Sequence, residues 1–327
     1  MNTMKKDIRC TFVIPLYIEE KNIELLGFFK QSMESVFEQT CPDWSIVLVD
    51  DNSKNKLLDE YIHSIIPKQK QTIIYHHNAS NAGPGIARNI GIDIAYGLGS
   101  DVIIFHDQDD LSHPRRVEVT RDIFKTKDTD LLYTYFIPID EHGIEIEPEH
   151  LSYSMKAILE NHNTPLVGKD VWKTLFADKM YINLTSTTSV RMEFAKNFPF
   201  PNRRSSEETY TWLLYSAHGA VFDFTGEIPT KYRIPRNVKG SASRDTIGEE
   251  RWHQEMAESF TDAFTKCSKC ALERGTATPE ELKKLESLLY INLITIFKRE
   301  GMHDLAMDIY RNHIKRNSGN SVKSVKI

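Results

Sequence analysis

Residues 101–110 read DVIIFHDQDD, a short apolar run followed by three carboxylates within four positions. The run at 101–106 is β-rich and bounded by polar residues, which predicts a buried strand. Carboxylates crowded in this way repel one another, and a divalent cation would relieve that repulsion. Hard carboxylate oxygens favour Mg²⁺ or Mn²⁺ over zinc. The alternative is a solvated loop that caps a helix beginning near Pro114.

The same kind of run recurs on the N-terminal side of this strand. Short apolar, β-rich segments lie at residues 10–16, 44–49 and 71–77. Segments with apolar residues at helical spacing separate them, at residues 22–39, 57–66 and 85–96. Strands and helices that alternate with short loops predict βαβ units. We therefore predict an α/β fold with a Rossmann-like, mostly parallel sheet flanked by helices.

The second half of the chain has a less regular pattern. We predict a hairpin from residues 131–139 and 143–146, and two short strands at 221–224 and 231–234. Helices are predicted at residues 191–198, 207–216, 249–273, 279–299 and 302–313. This change of pattern divides the chain into an α/β domain, residues 1–247, and a helical C-terminal extension, residues 248–327.

A stripe of leucines runs along one helix of this extension: Leu282, Leu285, Leu288, Leu289 and Leu293. Most stripes of this kind face the interior of their own chain, so we expect them to pack on the core. A homo-oligomer interface through these helices is the alternative.

Composition and charge exclude several classes of protein. Hydrophobic residues make up 40% of the chain, which is enough for a sizeable core. Charged residues make up 27%. The net charge of −5 argues against a nucleic-acid partner, because such proteins need a basic face. No apolar run approaches the length of a membrane span, although peripheral membrane contact stays open. The short polar N-terminus and four scattered cysteines favour a cytoplasmic location.

Polar residues also follow the other predicted strands. Tyr17 comes just after the first strand, and Asp50 and Asp51 end the second. A Gly/Pro turn at 81–85 leads into a helix that carries Arg88 in its first turn. In parallel sheets ligands bind outside the carboxyl ends of the strands, so these positions are candidate ligand contacts. Taken alone, the aspartates are as compatible with an Asx turn or a helix cap.

Together these segments resemble the family-2 glycosyltransferases of the GT-A fold. Residues 13–17, VIPLY, are similar to the opening V-x-P-x-Y strand of that family, and residues 49–53, VDDNS, to its V-D-D-x-S segment. Residues 81–91 match its N-x-G…A-R-N-x-G signature, and residues 107–110 its D-x-D-D metal motif. All four segments occur in order, with spacings normal for the family.

The resemblance implies a donor-binding set that holds a nucleotide diphosphate sugar: Pro15, Tyr17, Asp51, Arg88, Asp107, Arg233 and Ser241. In this set Tyr17 would pack on the base and Asp51 would accept from its ring nitrogen. Arg88 would support the base pocket or the carboxylates. Asp107 and Asp109 would contact ribose and metal, with Asp109 or Asp110 as the direct ligand of Mn²⁺ or Mg²⁺.

Further along, residues 206–212, SEETYTW, resemble the E-D-x-x-x-W element of the same family, with Glu in place of Asp at its second position. In inverting members that carboxylate is the general base, which makes Glu208 the predicted base, while Glu207 would orient the acceptor or the base. The alternative is a charged first turn of an amphipathic helix, which the helix dipole favours.

Residues 231–244 are similar to a Y-R-x-H…G-S-x-S loop that closes over the diphosphate in this family. Pro235 stands in place of the histidine, and it offers no donor and no metal ligand. Arg233, Lys239 and Arg244 remain as candidate phosphate partners, with solvated basic residues on a loop as the alternative.

The resemblance therefore predicts an inverting glycosyltransferase that uses a nucleotide sugar, by family habit a UDP-sugar, and a divalent metal. The acceptor stays open among a glycan, a lipid-linked sugar, a peptide and a small molecule. Two alternatives remain: a catalytically weak sugar-nucleotide-binding or scaffold module, and a nucleotidyltransferase. The second would want a Gly-rich, basic phosphate loop after the first strand, and residues 17–20, YIEE, are not such a loop.

Overall fold

A computed structural model describes residues 7–235 and 247–318, with side chains described as far as Arg311. Within these two ranges, seven strands form one sheet in the order β3-β2-β1-β4-β6-β5-β7. The strands are β1 (Cys10–Leu16), β2 (Trp44–Asp50), β3 (Thr72–His77), β4 (Val102–Phe105), β5 (Leu131–Ile139), β6 (Thr188–Arg191) and β7 (Phe222–Arg233). The α/β fold predicted from the sequence is confirmed.

Helices cover both faces of this sheet and form the C-terminal part of the chain. Those of the first half are α1 (Ile23–Phe37), α2 (Lys56–Ile65), α3 (Pro84–Gly97), α4 (Arg116–Thr126) and α5 (Tyr153–Asn161). The remaining ones are α6 (Trp172–Thr174), α7 (Met192–Asn197), α8 (Glu207–Ala217), α9 (Glu249–Glu273), α10 (Pro279–Arg299) and α11 (His303–Ser318). Across the described residues, no helix combines the length and the apolar content that crossing a membrane requires.

The first four strands of the chain are parallel to one another. β1 pairs with β2 and β4, and β2 pairs with β3. β6 runs antiparallel between β4 and β5, while β5 and β7 are parallel. Because Leu16 pairs with Asp50 and Val13 with Phe105, the carboxyl ends of β1, β2 and β4 share one edge of the sheet.

Side chains of alternate strand residues belong to two separate hydrophobic cores, one on each face of the sheet. Phe12, on one face, belongs to a cluster with side chains of α1, α2 and α4. Val13, on the other face, belongs to a larger cluster that also contains Trp212 of α8 and Phe260 of α9. The C-terminal helices therefore share a core with the sheet.

The leucine stripe of α10 is mostly internal, as expected. Leu282, Leu289 and Leu293 are buried, Leu285 packs against the core, and Leu288 is 41% exposed. Two cysteines of α9 are buried too: the thiols of Cys267 and Cys270 donate to carbonyl oxygens of α8. The division of the chain at 247/248 stays a prediction.

The strands predicted at 221–224 and 231–234 belong to one element, β7. Its pairing with β5 jumps from Thr134–Thr225 to Phe136–Thr230, so residues 226–229 lie outside the ladder. This stretch contains Gly226 and Pro229, which interrupt a strand pattern without ending the strand. The second strand of the predicted hairpin, residues 143–146, is reduced to one isolated bridge, from Ile139 to Glu145.

Candidate active site

Four of the predicted donor-binding residues, Pro15, Tyr17, Asp51 and Asp107, lie at or near the shared carboxyl edge of β1, β2 and β4. Tyr17 follows β1, Asp51 follows β2, and Asp107 follows β4 by two residues. Pro15 lies inside β1, paired with Val49 of β2. Because the strands are parallel and in register, residues far apart in sequence meet here, as the sequence predicted.

Asp51 is 3% exposed and is held by the turn that precedes α3. Its carboxylate accepts from the Asn78 amide at 2.9 Å and from the backbone of Gly83 at 2.6 Å. The backbone N–H of Ala82 is shared between both oxygens, at 2.9 and 3.0 Å. Gly83 has φ +96°, a conformation that favours glycine, so the turn can present two successive N–H groups.

Tyr17 has an exposed side chain and a well-anchored backbone. The residue as a whole is 36% exposed. The amide of Gln108 accepts from the Tyr17 N–H at 2.9 Å and donates to the Tyr17 carbonyl at 3.2 Å. Gln108 is the variable residue of the D-x-D-D segment, so the motif gave no reason to single it out.

The backbone of Asp107 rests on a buried polar group of hydroxyls and an imidazole. Its N–H donates to the Ser186 hydroxyl at 3.1 Å. His106 lies between Ser32 at 2.9 Å and Ser186 at 3.4 Å. Burial lowers the pKa of His106 to about 4, so the ring is neutral near pH 7. Neither Ser32 nor Ser186 lies in a motif, so no sequence signal points to their role.

Arg88 joins two carboxylates that are far apart in sequence. One terminal nitrogen donates to Glu207 at 2.6 Å and the other donates to Asp107 at 2.8 Å. Its side chain is 6% exposed and stacks near Phe200, 5.6 Å from the ring centroid. Burial alone would lower the pKa of Arg88, but the charges of Asp107 and Glu207 raise it, so the guanidinium stays charged.

Glu207 and Glu208 begin α8, directly after Ser206. Ser206 has φ +54°, which is uncommon for a residue with a side chain and marks a locally constrained turn. Glu207 is buried against Arg88, whereas Glu208 is partly exposed. Burial, and then the charge of Glu207, raise the pKa of Glu208 to about 8. This value suits a group that takes up a proton near neutral pH.

Asp109 and Asp110 differ in their surroundings. Asp109 is partly exposed, and burial together with the charge of Asp107 raises its pKa to about 7. Asp110 is fully buried, and burial raises its pKa well above the ordinary value. One of its oxygens accepts from the backbone of Arg233 at 2.8 Å, and the other has no hydrogen-bond partner among the described residues.

Arg233 lies beneath the D-x-D-D segment with its guanidinium directed at other protein groups. It donates to the carbonyl of Asp109 at 2.9 Å, to that of Asp140 at 3.0 Å and to the Gln31 amide at 2.8 Å. The guanidinium also stacks on Phe28, 4.4 Å from the ring centroid. These contacts hold the segment in place and leave little of the guanidinium for a phosphate. The other candidates of this loop, Lys239, Ser241 and Arg244, lie outside the described residues.

Comparison with known proteins assigns a family to this fold and site. Residues 11–181, more than half of the chain, match the family model for glycosyl transferase family 2. The chain belongs to this family. The matched range contains all four segments, from VIPLY to DQDD, on which the sequence resemblance rests.

Curated relatives match the chain only in part. An uncharacterized glycosyltransferase of Methanocaldococcus jannaschii is 29% identical over 213 residues, which are 64% of this chain and 66% of that protein. An uncharacterized glycosyltransferase of Rickettsia felis is 30% identical over 239 residues, 71% of this chain and 35% of that protein. The chain thus matches about two thirds of the first relative's length and about a third of the second's.

Several solved structures have a similar fold. Residues 1–349 of TarS from S. aureus, in complex with UDP-GlcNAc, give a TM-score of 0.61 at 15% identity, over 89% of this chain and 73% of that one. A mannosyltransferase from Pyrobaculum calidifontis, in complex with GDP-Man and Mn²⁺, gives 0.55 at 13% identity, over 97% and 77%. At such identities the likeness supports the GT-A fold and nothing finer.

The carboxylate oxygens that follow β4 fit a divalent cation. Asp107 and Asp109 are both partly exposed at the sheet edge and offer hard oxygen ligands. Asp110 adds a buried oxygen that has no hydrogen-bond partner among the described residues. Within the part of the chain that the structure describes, no group of three or more His, Cys, Asp or Glu side chains lies close enough together to hold a metal ion without other ligands. Mg²⁺-type sites commonly use one or two carboxylates plus substrate phosphates, so a smaller set is sufficient.

Proposed function

We propose that this chain is an inverting glycosyltransferase that moves a sugar from a nucleotide diphosphate donor to a hydroxyl, or a similar nucleophile, of an acceptor. The observation that carries the proposal is the position of Arg88 between Asp107 and Glu207. Asp107 belongs to the D-x-D-D segment, which is suited to binding the nucleotide-sugar donor. Glu207 begins the helix that carries Glu208, a carboxylate suited to the acceptor's proton.

The donor's nucleoside would lie over β1 and β2. The exposed ring of Tyr17 offers a face on which a base can stack. Asp51 would accept from a ring nitrogen of the base by giving up one half of its shared contact with the N–H of Ala82, which now reaches both carboxylate oxygens. Asp107 would contact the ribose, and Arg88 would fix the orientation of its carboxylate.

A UDP-sugar is the donor we favour. TarS and the enzyme GalNAc-T7 share this fold and have been solved with UDP-GlcNAc and with UDP, GalNAc and Mn²⁺. The Pyrobaculum calidifontis enzyme has been solved with GDP-Man, so a guanine nucleotide is the second candidate.

Asp109 is the residue that would hold Mn²⁺ or Mg²⁺, with Asp110 as the second candidate ligand. When bound, such a cation supplies positive charge that stabilises a diphosphate leaving group. The contacts of Arg233 with the Asp109 carbonyl and the Asp110 carboxylate would keep both side chains in place for this role.

Glu208 would act as the general base. It takes the proton of the acceptor hydroxyl while the acceptor oxygen forms a bond to the anomeric carbon. The bond from that carbon to the diphosphate breaks, and its electron pair leaves with the nucleoside diphosphate. A single displacement of this kind inverts the anomeric configuration and needs one base, which contributes roughly 10²–10⁴ in rate. Glu207, held by Arg88, would orient Glu208 or the acceptor.

A sugar-nucleotide-binding or scaffold module without turnover is the second candidate function. Pro235, in the position of the family's histidine, favours it, since proline cannot ligate a metal or donate a hydrogen bond. Turnover would distinguish the two candidates, because both bind the same donors.

The acceptor and the setting of the reaction are also proposals. A glycan, a lipid-linked sugar, a peptide or a small molecule would each supply a suitable nucleophile. We place the chain in the cytoplasm, where its four free cysteines would stay reduced. Peripheral membrane contact and a homo-oligomer through the C-terminal helices remain compatible with this proposal.

The experiment is to incubate the protein with UDP-GlcNAc, UDP-glucose, UDP-galactose and GDP-mannose, with Mn²⁺ or with chelator, and to measure release of nucleoside diphosphate. We expect metal-dependent release with one donor and its loss in Glu208→Gln. Nucleotide binding without release would favour the binding module. No binding of any nucleotide would contradict both candidates.

A further inference from the structure

We propose that Gln108 is a positioning residue that sets Tyr17 as the platform for the donor's base, since its side-chain amide pairs with both backbone polar groups of Tyr17 beyond the end of β1. The inference rests on the proposed function, in which Tyr17 stacks on the base. It adds a residue that determines how tightly, and in which orientation, the nucleoside is held.

The sheet itself does not reach Tyr17. β1 ends at Leu16, and its ladder with β4 ends at the pair Val13–Phe105. One further ladder-like bond runs from the N–H of His106 to the carbonyl of Val13 at 3.2 Å. Beyond that point, the Gln108 amide supplies one acceptor and one donor to Tyr17, as a neighbouring strand would have done.

The residue after Tyr17 is fixed as well. The N–H of Ile18 donates to the Ser53 hydroxyl at 2.9 Å, and the Ile18 side chain is fully buried. Ser53 itself donates its N–H to Asp50 at 2.7 Å. The backbone of Tyr17 is thus held from the β4 side by Gln108 and, through its neighbour, from the β2 side by Ser53, while the residue as a whole remains 36% exposed.

Gln108 also links the two halves of the donor site. It lies between Asp107, the proposed ribose contact, and Asp109, the proposed metal ligand. The terminal amide suits this place because it offers an acceptor oxygen and a donor nitrogen side by side, which an ionised carboxylate or an ammonium group does not. A shift of the Tyr17 backbone would move the ring off the base without changing the carboxylates. The predicted defect is therefore in nucleoside affinity.

The test is a double-mutant cycle on UDP affinity in Mn²⁺, measured by calorimetry on the full chain. The variants are Gln108→Met, which keeps length and removes both hydrogen bonds, Tyr17→Ala, and the two combined. We expect Gln108→Met to weaken UDP binding about tenfold. This loss corresponds to part of the binding free energy that stacking a base on an aromatic ring contributes. In the Tyr17→Ala background, Gln108→Met should have less than a twofold effect.

A matched control is Gln71→Met, which removes an amide contact to the Pro42 carbonyl at the opposite edge of the sheet and should leave UDP affinity unchanged. Additive effects of Gln108→Met and Tyr17→Ala would overturn the inference, because Gln108 would then act independently of the ring. Unchanged UDP affinity in Gln108→Met would overturn it too. If the unmodified chain binds neither UDP nor GDP, the proposed function itself fails.

Discussion

Arg88 and Glu207, 119 positions apart in the chain, form a buried ion pair 2.6 Å long in which both side chains are 6% exposed. The same guanidinium holds Asp107 at 2.8 Å. One side chain of α3 therefore fixes the distance between the segment after β4 and the start of α8. In the proposed reaction these are the donor side and the acceptor side.

Arg88→Lys should cost far more than an ordinary Arg-to-Lys change, because one ammonium group cannot replace the two-armed guanidinium. We expect kcat to fall at least tenfold. Leaving a buried carboxylate without its partner should also lower the free energy of unfolding by about 3–5 kcal/mol. Arg115→Lys is the control: its pair with Glu118 is exposed and screened by solvent, so this change should leave the stability nearly unaltered. Urea unfolding that shows equal changes for both variants would contradict this role of Arg88.

The raised pKa of Glu208 gives the reaction a defined pH dependence. A base works only when deprotonated, so kcat/KM should rise with pH and level off above about 8. Glu208→Gln should remove both the activity and this rise. Glu280→Gln, at an exposed position of α10, serves as control. A profile that is flat between pH 5 and 9 would argue against Glu208 as the base.

The same pKa shift also predicts an effect on stability. Between its ordinary value of 4.5 and about 8, Glu208 is protonated in the folded chain and ionised in the unfolded chain. The unfolded state then binds fewer protons, so this group makes the fold less stable as pH rises through that window. Glu208→Gln should accordingly raise Tm more at pH 8 than at pH 4. The opposite order would mean that the folded chain favours the ionised carboxylate.

Gly91 tests the close contact of α3 with β1. A Cβ at this position would lie 2.5 Å from Cγ1 of Val13, so Gly91→Ala should destabilise the fold by about 1–3 kcal/mol through overpacking. At Gly27 of α1 a Cβ meets nothing within 4 Å, and Gly27→Ala should stabilise by about 0.5–1 kcal/mol. Denaturant midpoints that move in the same direction for both variants would show that the α3–β1 contact is looser than described.

The C-terminal helices should be needed for a soluble, active chain. Phe264 of α9 packs edge-on against Phe176, with ring centroids 5.2 Å apart, and α9 also supports the turn before α8. In that turn the Arg204 N–H donates to Glu255 at 2.9 Å, and Ser259 donates to the Ser205 carbonyl at 3.4 Å. Removal of residues 248–327 should therefore reduce solubility or acceptor use. A soluble truncated chain with full turnover would refute this expectation.

The part of the fold from β1 to β4 could be predicted because each strand and helix there carries its own periodic signal, whereas no residue range was predicted for α4 and α5. Observed bounds of β1 to β4 differ from the predicted ones by one residue at most at either end. β6 was missed because Thr188–Arg191 reads TSVR, which carries no apolar pattern. The register jump that joins two predicted strands into β7 depends on pairing with β5, and no local pattern encodes it.

The site could be predicted only as far as its motifs extend. Arg233 illustrates the limit: the motif predicted a phosphate partner, whereas its guanidinium contacts carbonyl oxygens of Asp109 and Asp140, about a hundred positions away. Backbone acceptors have no sequence signature, so contacts of this kind are found only in the folded chain. Gln108 and Ser186 were missed for the same reason, since both act on backbone groups of motif residues.

The central claim is that a divalent cation at Asp109 holds the donor's diphosphate. The direct measurement is UDP affinity by calorimetry with Mn²⁺ and with chelator, in the unmodified chain, in Asp109→Asn and in the surface control Asp93→Asn. The account predicts that chelator and Asp109→Asn each weaken UDP binding at least tenfold and that Asp93→Asn does not. UDP affinity that is unchanged by chelator and by Asp109→Asn would contradict it.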